Sequence, residues 1–194
     1  MDLLLYSGEG TNQYYISFLI KLLTILAIEQ KLNFKECDHI TLNDPNFTFT
    51  NVFCIVIPGG HALKLLSFIK PLVWKKIIQF IKCGGKYIGI CAGAIIAAQT
   101  FIFMNTPFEN PWGLNLYRKC YGVDYIKQDI TLDSGEKAVY DHSPNEIIDS
   151  SLETIDKFQD KTIIARNKSC LFIGIHLETN NSVYFNLIVK KLLI

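Results

Sequence analysis

Arginine is nearly missing from this chain. Only Arg118 and Arg166 stand among 19 basic residues. Arginine is the side chain suited to a bidentate grip on phosphate, so its scarcity disfavours a role built on phosphate recognition. Charge of one sign is missing too. The 194 residues carry a formal net charge of +1 with the signs mixed, and no basic stripe marks a nucleic-acid footprint. The six cysteines (Cys37, Cys54, Cys83, Cys91, Cys120 and Cys170) include no Cys-x-x-Cys pair, which argues against a zinc or dithiol redox motif. Long apolar runs are absent. The longest, Ile16 to Ile28, is broken by Lys21 and Thr24 and is too short for a bilayer. Met1-Asp2-Leu3 lacks the basic start of a secretory signal. These absences lead to the expectation of a soluble, cytoplasmic protein with no membrane or nucleic-acid partner, no metal and no cofactor. No internal repeat, low-complexity tract or linker appears either, so residues 1–194 are expected to form a single domain.

What is present is apolar residues, at 49% of the chain with a mean hydropathy of +0.23. Parallel strands buried on both faces explain that value without a membrane. Strands are expected at Asp2–Ser7, Phe34–Leu42, Val52–Ile57 and Lys86–Ile90. Helices are expected at Asn12–Gln30, at Pro71 to about Lys82 and from Ala94 to about Phe101. Strands alternating with helices imply an α/β fold, a doubly wound, mostly parallel sheet with helices on both faces. The stretch from Met104 to Asn145 breaks this pattern and reads as an excursion of loops and short strands, among them Val123–Thr131 and Lys137–Tyr140. Lys161–Arg166 and Ser169–Ile175 read as a hairpin turned at Asn167-Lys168, and Ser182–Leu193 as a closing helix.

Three places carry chemistry. Gly89-Ile90-Cys91-Ala92-Gly93 joins a buried strand to a helix, the setting of a nucleophile elbow in its cysteine form. The turn is sharp, so the neighbours must be small, and the helix dipole at that position favours a thiolate. Ile175-His176-Leu177-Glu178 ends another buried run. There His176 is a base for Cys91, and Glu178 orients the imidazole. Ile57-Pro58-Gly59-Gly60-His61 runs a third strand into a glycine pair, whose backbone N–H groups, with that of Ala92, suit an oxyanion.

This ordered set resembles the class I glutamine amidotransferase-like superfamily, and within it the biotin-protein ligase N-terminal-domain family. Leu4-Leu5-Tyr6-Ser7-Gly8, Pro58-Gly59-Gly60 and Gly84-Gly85-Lys86 through Ala94 carry the resemblance. It implies a flavodoxin-like fold and a Cys91-His176-Glu178 triad. It also implies a small amide as substrate, with a synthase or a biotin-dependent enzyme as partner. In the intracellular-protease branch an early glutamate contacts the cysteine, which makes Glu9 a pocket candidate beside His61. The chain departs from the superfamily in two places. Ile95 stands where many members carry glutamine, and Leu177 where proline is usual. Biotin ligation by this chain alone is not expected, because no Gly-Arg-Gly motif is present.

Each residue also has a plainer explanation. Cys91 suits a buried core, and His176 a strand end satisfied by a carbonyl. Glu178 suits a solvated loop, Gly59 and Gly60 a tight turn, and His61 the exposed start of a helix. His39 and His142 read as surface residues, and Asp141 with His142 lies in the excursion, within reach of a ligand. The order Cys91, His176, Glu178 favours a cysteine-nucleophile hydrolase or amidotransferase. The rival is a non-catalytic binding or regulatory module that docks a partner enzyme.

Overall fold

The computed structural model describes residues 1–103, 106–109, 114–123, 127–141 and 144–194. His142 lies outside them, as do residues 104–105, 110–113 and 124–126 of the expected excursion. In chain order the first half holds β1 (Asp2–Tyr6), α1 (Gln13–Glu29), β2 (Asn33–Cys37), α2 (His39–Asn43), β3 (Val52–Ile57), α3 (Ala62–Phe68), α4 (Pro71–Lys82), β4 (Lys86–Ile90) and α5 (Ala92–Ala97). Six short strands follow: β5 (Ala98–Phe103), β6 (Thr106–Glu109), β7 (Tyr117–Val123), β8 (Gln128–Thr131), β9 (Lys137–Tyr140) and β10 (Pro144–Ile148). The chain then returns through β11 (Glu153–Phe158), β12 (Lys161–Arg166), β13 (Cys170–Ile173) and α6 (Ser182–Leu193).

The apolar runs become the middle of a seven-stranded sheet ordered β11-β12-β13-β4-β3-β1-β2. The five strands from β13 to β2 are parallel, and β12 and β11 add an antiparallel edge. This is the doubly wound α/β arrangement, with the chain reversing direction across the sheet at β1 and β3. Side chains alternate between its faces. Leu3 and Leu5 of β1 pack with Leu19, Leu23 and Leu26 of α1 and Phe185 of α6. Leu4 and Tyr6 point the other way, toward Leu65 of α3 and Val73, Trp74 and Ile77 of α4. Each fully buried aliphatic side chain contributes about 2 kcal/mol, so this double-sided core anchors the strand ends that matter below.

Several boundaries differ from expectation. The second strand stops at Cys37 because Asp38 caps a new helix, its carboxylate accepting the Thr41 N–H at 2.8 Å. The helix after the elbow ends at Ala97 instead of near Phe101, and the chain turns directly into β5. Strand β11 was not anticipated, and of helix α3 only the start at His61 was. The excursion holds short strands as expected, β9 at the expected Lys137–Tyr140 and β8 within the expected Val123–Thr131. It builds a four-stranded sheet ordered β10-β7-β5-β6 and a separate β8–β9 hairpin. The predicted β12–β13 hairpin is present, and Asn167 closes it by accepting N–H bonds from Ser169 and Cys170 at 2.9 and 2.8 Å.

Candidate functional site

Three neighbouring strands deliver the three predicted segments to one edge of the sheet. β4 leads into Cys91, β13 leads to His176, and β3, on the other side of β4, leads to Gly59. The Cys91 N–H extends the ladder one step further, donating to the Ile173 carbonyl at 2.8 Å. Cys91 itself sits at φ 48 and ψ −105, a left-handed backbone strained for a residue with a side chain. Its flanking glycines are forced by contact. A Cβ on Gly93 would lie 2.0 Å from the Ile57 carbonyl oxygen, and one on Gly89 2.6 Å from the Gly93 oxygen. The elbow therefore exists because β3, β4 and α5 approach too closely for any side chain.

Cys91, His176 and Glu178 are only 3%, 1% and 2% exposed. The imidazole Nδ1 and Glu178 Oε1 are 2.7 Å apart, and the Cys91 sulfur is a hydrogen-bonding neighbour of the same ring. Burial opposes a charged imidazole. Glu178 first, and then the neighbouring Cys91, outweigh it, raising His176 from 6.5 to about 10. Gly59 supplies space here. A Cβ on it would meet His176 Cε1 at 2.5 Å and Cys91 Cβ at 3.3 Å. Ala92 and Gly93 open α5, so their N–H groups have no acceptor within the helix.

The mouth of the site is a cavity of about 440 Å³ whose lining includes Cys91, His176, Gly60, Glu9, His61 and Asp141. Gly59 and Ala92 are not part of that lining. The first loop reaches the cavity through an antiparallel bridge between Thr11 and Gly60. The bridge has two bonds, Asn12 N–H to the Gly59 oxygen at 3.1 Å and His61 N–H to the Gly10 oxygen at 2.7 Å. Gly60 must be glycine for this contact, since its φ is +154 and a Cβ would sit 2.1 Å from the Gly10 oxygen. His61 lines the cavity and also caps α3, its Nδ1 accepting the Lys64 N–H at 3.4 Å. Glu9 is exposed on the rim. Ile95 and Leu177, the two departures from the superfamily pattern, are both buried.

Tyr15 was not singled out from sequence. It stacks on the His176 ring with centroids 3.6 Å apart and planes 11° apart. Its hydroxyl donates to Asp141 Oδ2, while the Asp141 carbonyl faces the Cys91 sulfur at 3.8 Å. Asp141 reaches the site because β9 bridges the main chain of His176. Val139 and His176 exchange N–H bonds at 2.9 and 3.0 Å.

Sheet order, elbow and loop convergence together define a class I glutamine amidotransferase-like protein. Residues 1–115 match the family model for the biotin-protein ligase N-terminal domain, and the chain belongs to that family. The pyridoxal 5'-phosphate synthase subunit PdxT of Thermosipho africanus is 26% identical over 149 residues, 71% of this chain and 79% of that protein. The biotin–protein ligase of Schizosaccharomyces pombe is 28% identical over 104 residues, 53% of this chain but only 16% of that much longer protein. A crystal structure of a glutamine amidotransferase superimposes with a TM-score of 0.66 at 14% identity, covering 90% of this chain and 94% of that one. No helix among the described residues is long and apolar enough to cross a membrane.

Proposed function

We propose that the protein is a cysteine-dependent amide hydrolase or amidotransferase of the glutamine amidotransferase type, acting on a small amide. One observation carries this reading: a fully buried His176 is bonded to a buried Glu178 at 2.7 Å on one side and neighbours Cys91 on the other. A histidine so placed in an inert core would be costly, because burial alone opposes its charge.

The chemistry runs in two halves. As His176 takes the thiol proton, the Cys91 sulfur attacks the amide carbonyl carbon, forming the C–S bond of a tetrahedral adduct. Backbone N–H groups of Gly60 and Ala92 hold the oxyanion, at about 3 kcal/mol per donor. His176 gives its proton to the nitrogen, the C–N bond breaks and the amine or ammonia leaves. Water then attacks the thioester, His176 takes its proton, and the C–S bond breaks to release a carboxylate. Glu178 holds the imidazole in the tautomer that serves both halves. Glu9 and His61 stand where a substrate would enter the cavity, which supports their part in binding. In a PdxT-like use the released ammonia passes to a synthase partner.

The test is ammonia release from a panel of small amides beginning with glutamine, with Cys91→Ala as the control. Turnover by the wild type that vanishes in a folded Cys91→Ala protein supports the reading. A Cys91 that alkylates no faster than an ordinary thiol and turns over no amide overturns it. Ile95 favours a second reading, a docking module, since it is buried and offers no polar group in place of the usual glutamine. That module would keep its affinity for a biotin-dependent enzyme when Cys91 is replaced by alanine.

A further inference from the structure

Four groups face the His176 ring directly or through one contact: Cys91 from the elbow, Glu178 from its own loop, Tyr15 from α1, and Asp141 through Tyr15. Glu178 holds only the Nδ1 end of the ring. The hydrogen bond at Nδ1 leaves play, and the Cβ–Cγ torsion of histidine is soft, so the ring can still tilt. Gly59 leaves room at Cε1, and it is Tyr15 that limits the tilt, across a whole face.

We propose that Tyr15 is a positioning residue for His176, its ring setting the imidazole plane and its hydroxyl locking that plane, through Asp141, to the peptide facing Cys91. This inference rests on the Cys91–His176 reading above. The contacts form a closed circuit. Tyr15 stacks on His176 and donates to the Asp141 carboxylate. Asp141 follows β9, and Val139 of β9 is bonded twice to the His176 main chain. The Asp141 carbonyl meets the Cys91 sulfur. Moving any one member therefore moves the sulfur relative to the imidazole.

The stack also has an electrostatic side. A charged imidazole over a phenol face is a cation–π contact, and a hydroxyl that donates to a carboxylate makes the face richer in electrons. Burial and the Asp141 bond keep the Tyr15 hydroxyl protonated, so the ring stays a neutral phenol. Lys127 also approaches this ring, but its nitrogen is 6.0 Å from the centroid on an exposed side chain, so His176 is the closer partner. The exposed rim groups Glu9, His61 and Lys64 are screened by solvent. The plain alternative is that Tyr15, 2% exposed, only packs α1 onto the sheet.

The experiment compares wild type, Tyr15→Phe, Tyr15→Leu, Asp141→Asn, the Tyr15→Phe/Asp141→Asn pair and His176→Ala. Two quantities are read: the His176 imidazole titration by NMR, assigned by its loss in His176→Ala, and the iodoacetamide rate at Cys91 at pH 8, mapped by peptide. Tyr15→Leu is expected to lower the imidazole midpoint by about one pH unit and, by letting the ring leave its place beside the sulfur, to slow alkylation about tenfold. Tyr15→Phe is expected to restore most of the midpoint while losing roughly threefold in rate. Asp141→Asn should match Tyr15→Phe, and the double variant should add nothing further. A merely structural Tyr15 would change melting temperature and leave the midpoint alone, and a wild-type midpoint in folded Tyr15→Leu overturns the proposal. Should Tyr15→Leu fail to fold, wild-type rates in both Tyr15→Phe and Asp141→Asn overturn it, and matched, non-additive losses support it. If His176→Ala alkylates as fast as wild type, the Cys91–His176 reading fails first. If only His176→Ala is slow, that reading stands and the role of Tyr15 falls.

Discussion

Replacing Glu178 by glutamine keeps the shape of the side chain and removes its charge, which isolates the electrostatic part of the site. The carboxylate is 2% exposed and lies 2.7 Å from the imidazole. Its second oxygen, Oε2, is buried with no hydrogen-bond partner among the described residues. Two unit charges about 4 Å apart at an effective dielectric of about 20 interact by about 4 kcal/mol. At about 1.4 kcal/mol per pH unit, losing that attraction brings the imidazole from about 10 down to about 7. At pH 8 the protonated fraction then falls from nearly all to about a tenth. The expected result is an alkylation rate at Cys91 about tenfold lower at pH 8 than in wild type, with little change at pH 6. Peptide mapping is required because the chain has six cysteines. A Glu178→Gln protein with a wild-type rate and an imidazole still protonated at pH 8 would refute the charge argument.

Other perturbations follow from the same geometry. His176, raised from 6.5 to about 10, contributes stability that is complete below 6.5 and is lost as pH rises toward 10. The gap in urea-unfolding free energy between wild type and His176→Asn should therefore narrow over that window, by up to about 1.4 kcal/mol per pH unit, and a flat gap contradicts the shift. Gly59→Ala places a methyl 2.5 Å from His176 Cε1, so it should cost about 1–3 kcal/mol in stability and slow Cys91 alkylation about tenfold or more. Calorimetry and alkylation together check this, and a change in stability with an unchanged rate would mean that the ring does not need its present place. Cys91→Gly should be more stable than Cys91→Ala by about 1 kcal/mol, because glycine accepts φ 48 without strain. Equal melting temperatures for the two would show that the elbow stores no strain.

How far the sequence spoke depended on how local the physics was. Val52–Ile57 and Lys86–Ile90 were legible because a strand buried on both faces has to be apolar throughout. The elbow was legible because Gly89 and Gly93 are demanded by contacts within a few residues and one neighbouring strand. Strand β2 was drawn too long although Asp38 carried a readable cap signal. The second sheet was illegible for a different reason. Its strands are 4–7 residues long, and β5 pairs with β7 in parallel across intervening chain, so no short pattern announces the partner. Tyr15 was missed because an aromatic in an apolar helix is indistinguishable from core until its neighbour is known. The contact that matters lies 161 positions away, from Tyr15 to His176.

The two-bond bridge between Val139 and His176 has a consequence for anyone who would trim this chain. Residues 98–148 look like a removable insertion, since the seven-stranded sheet closes without them. Yet the same stretch pins the main chain of His176 and carries Asp141 to the cavity. A minimal version that splices Ala97 to Asp149 is expected to lose the clamp on His176. The excursion is better regarded as the back wall of the site than as decoration on the sheet, and a redesign should keep it whole.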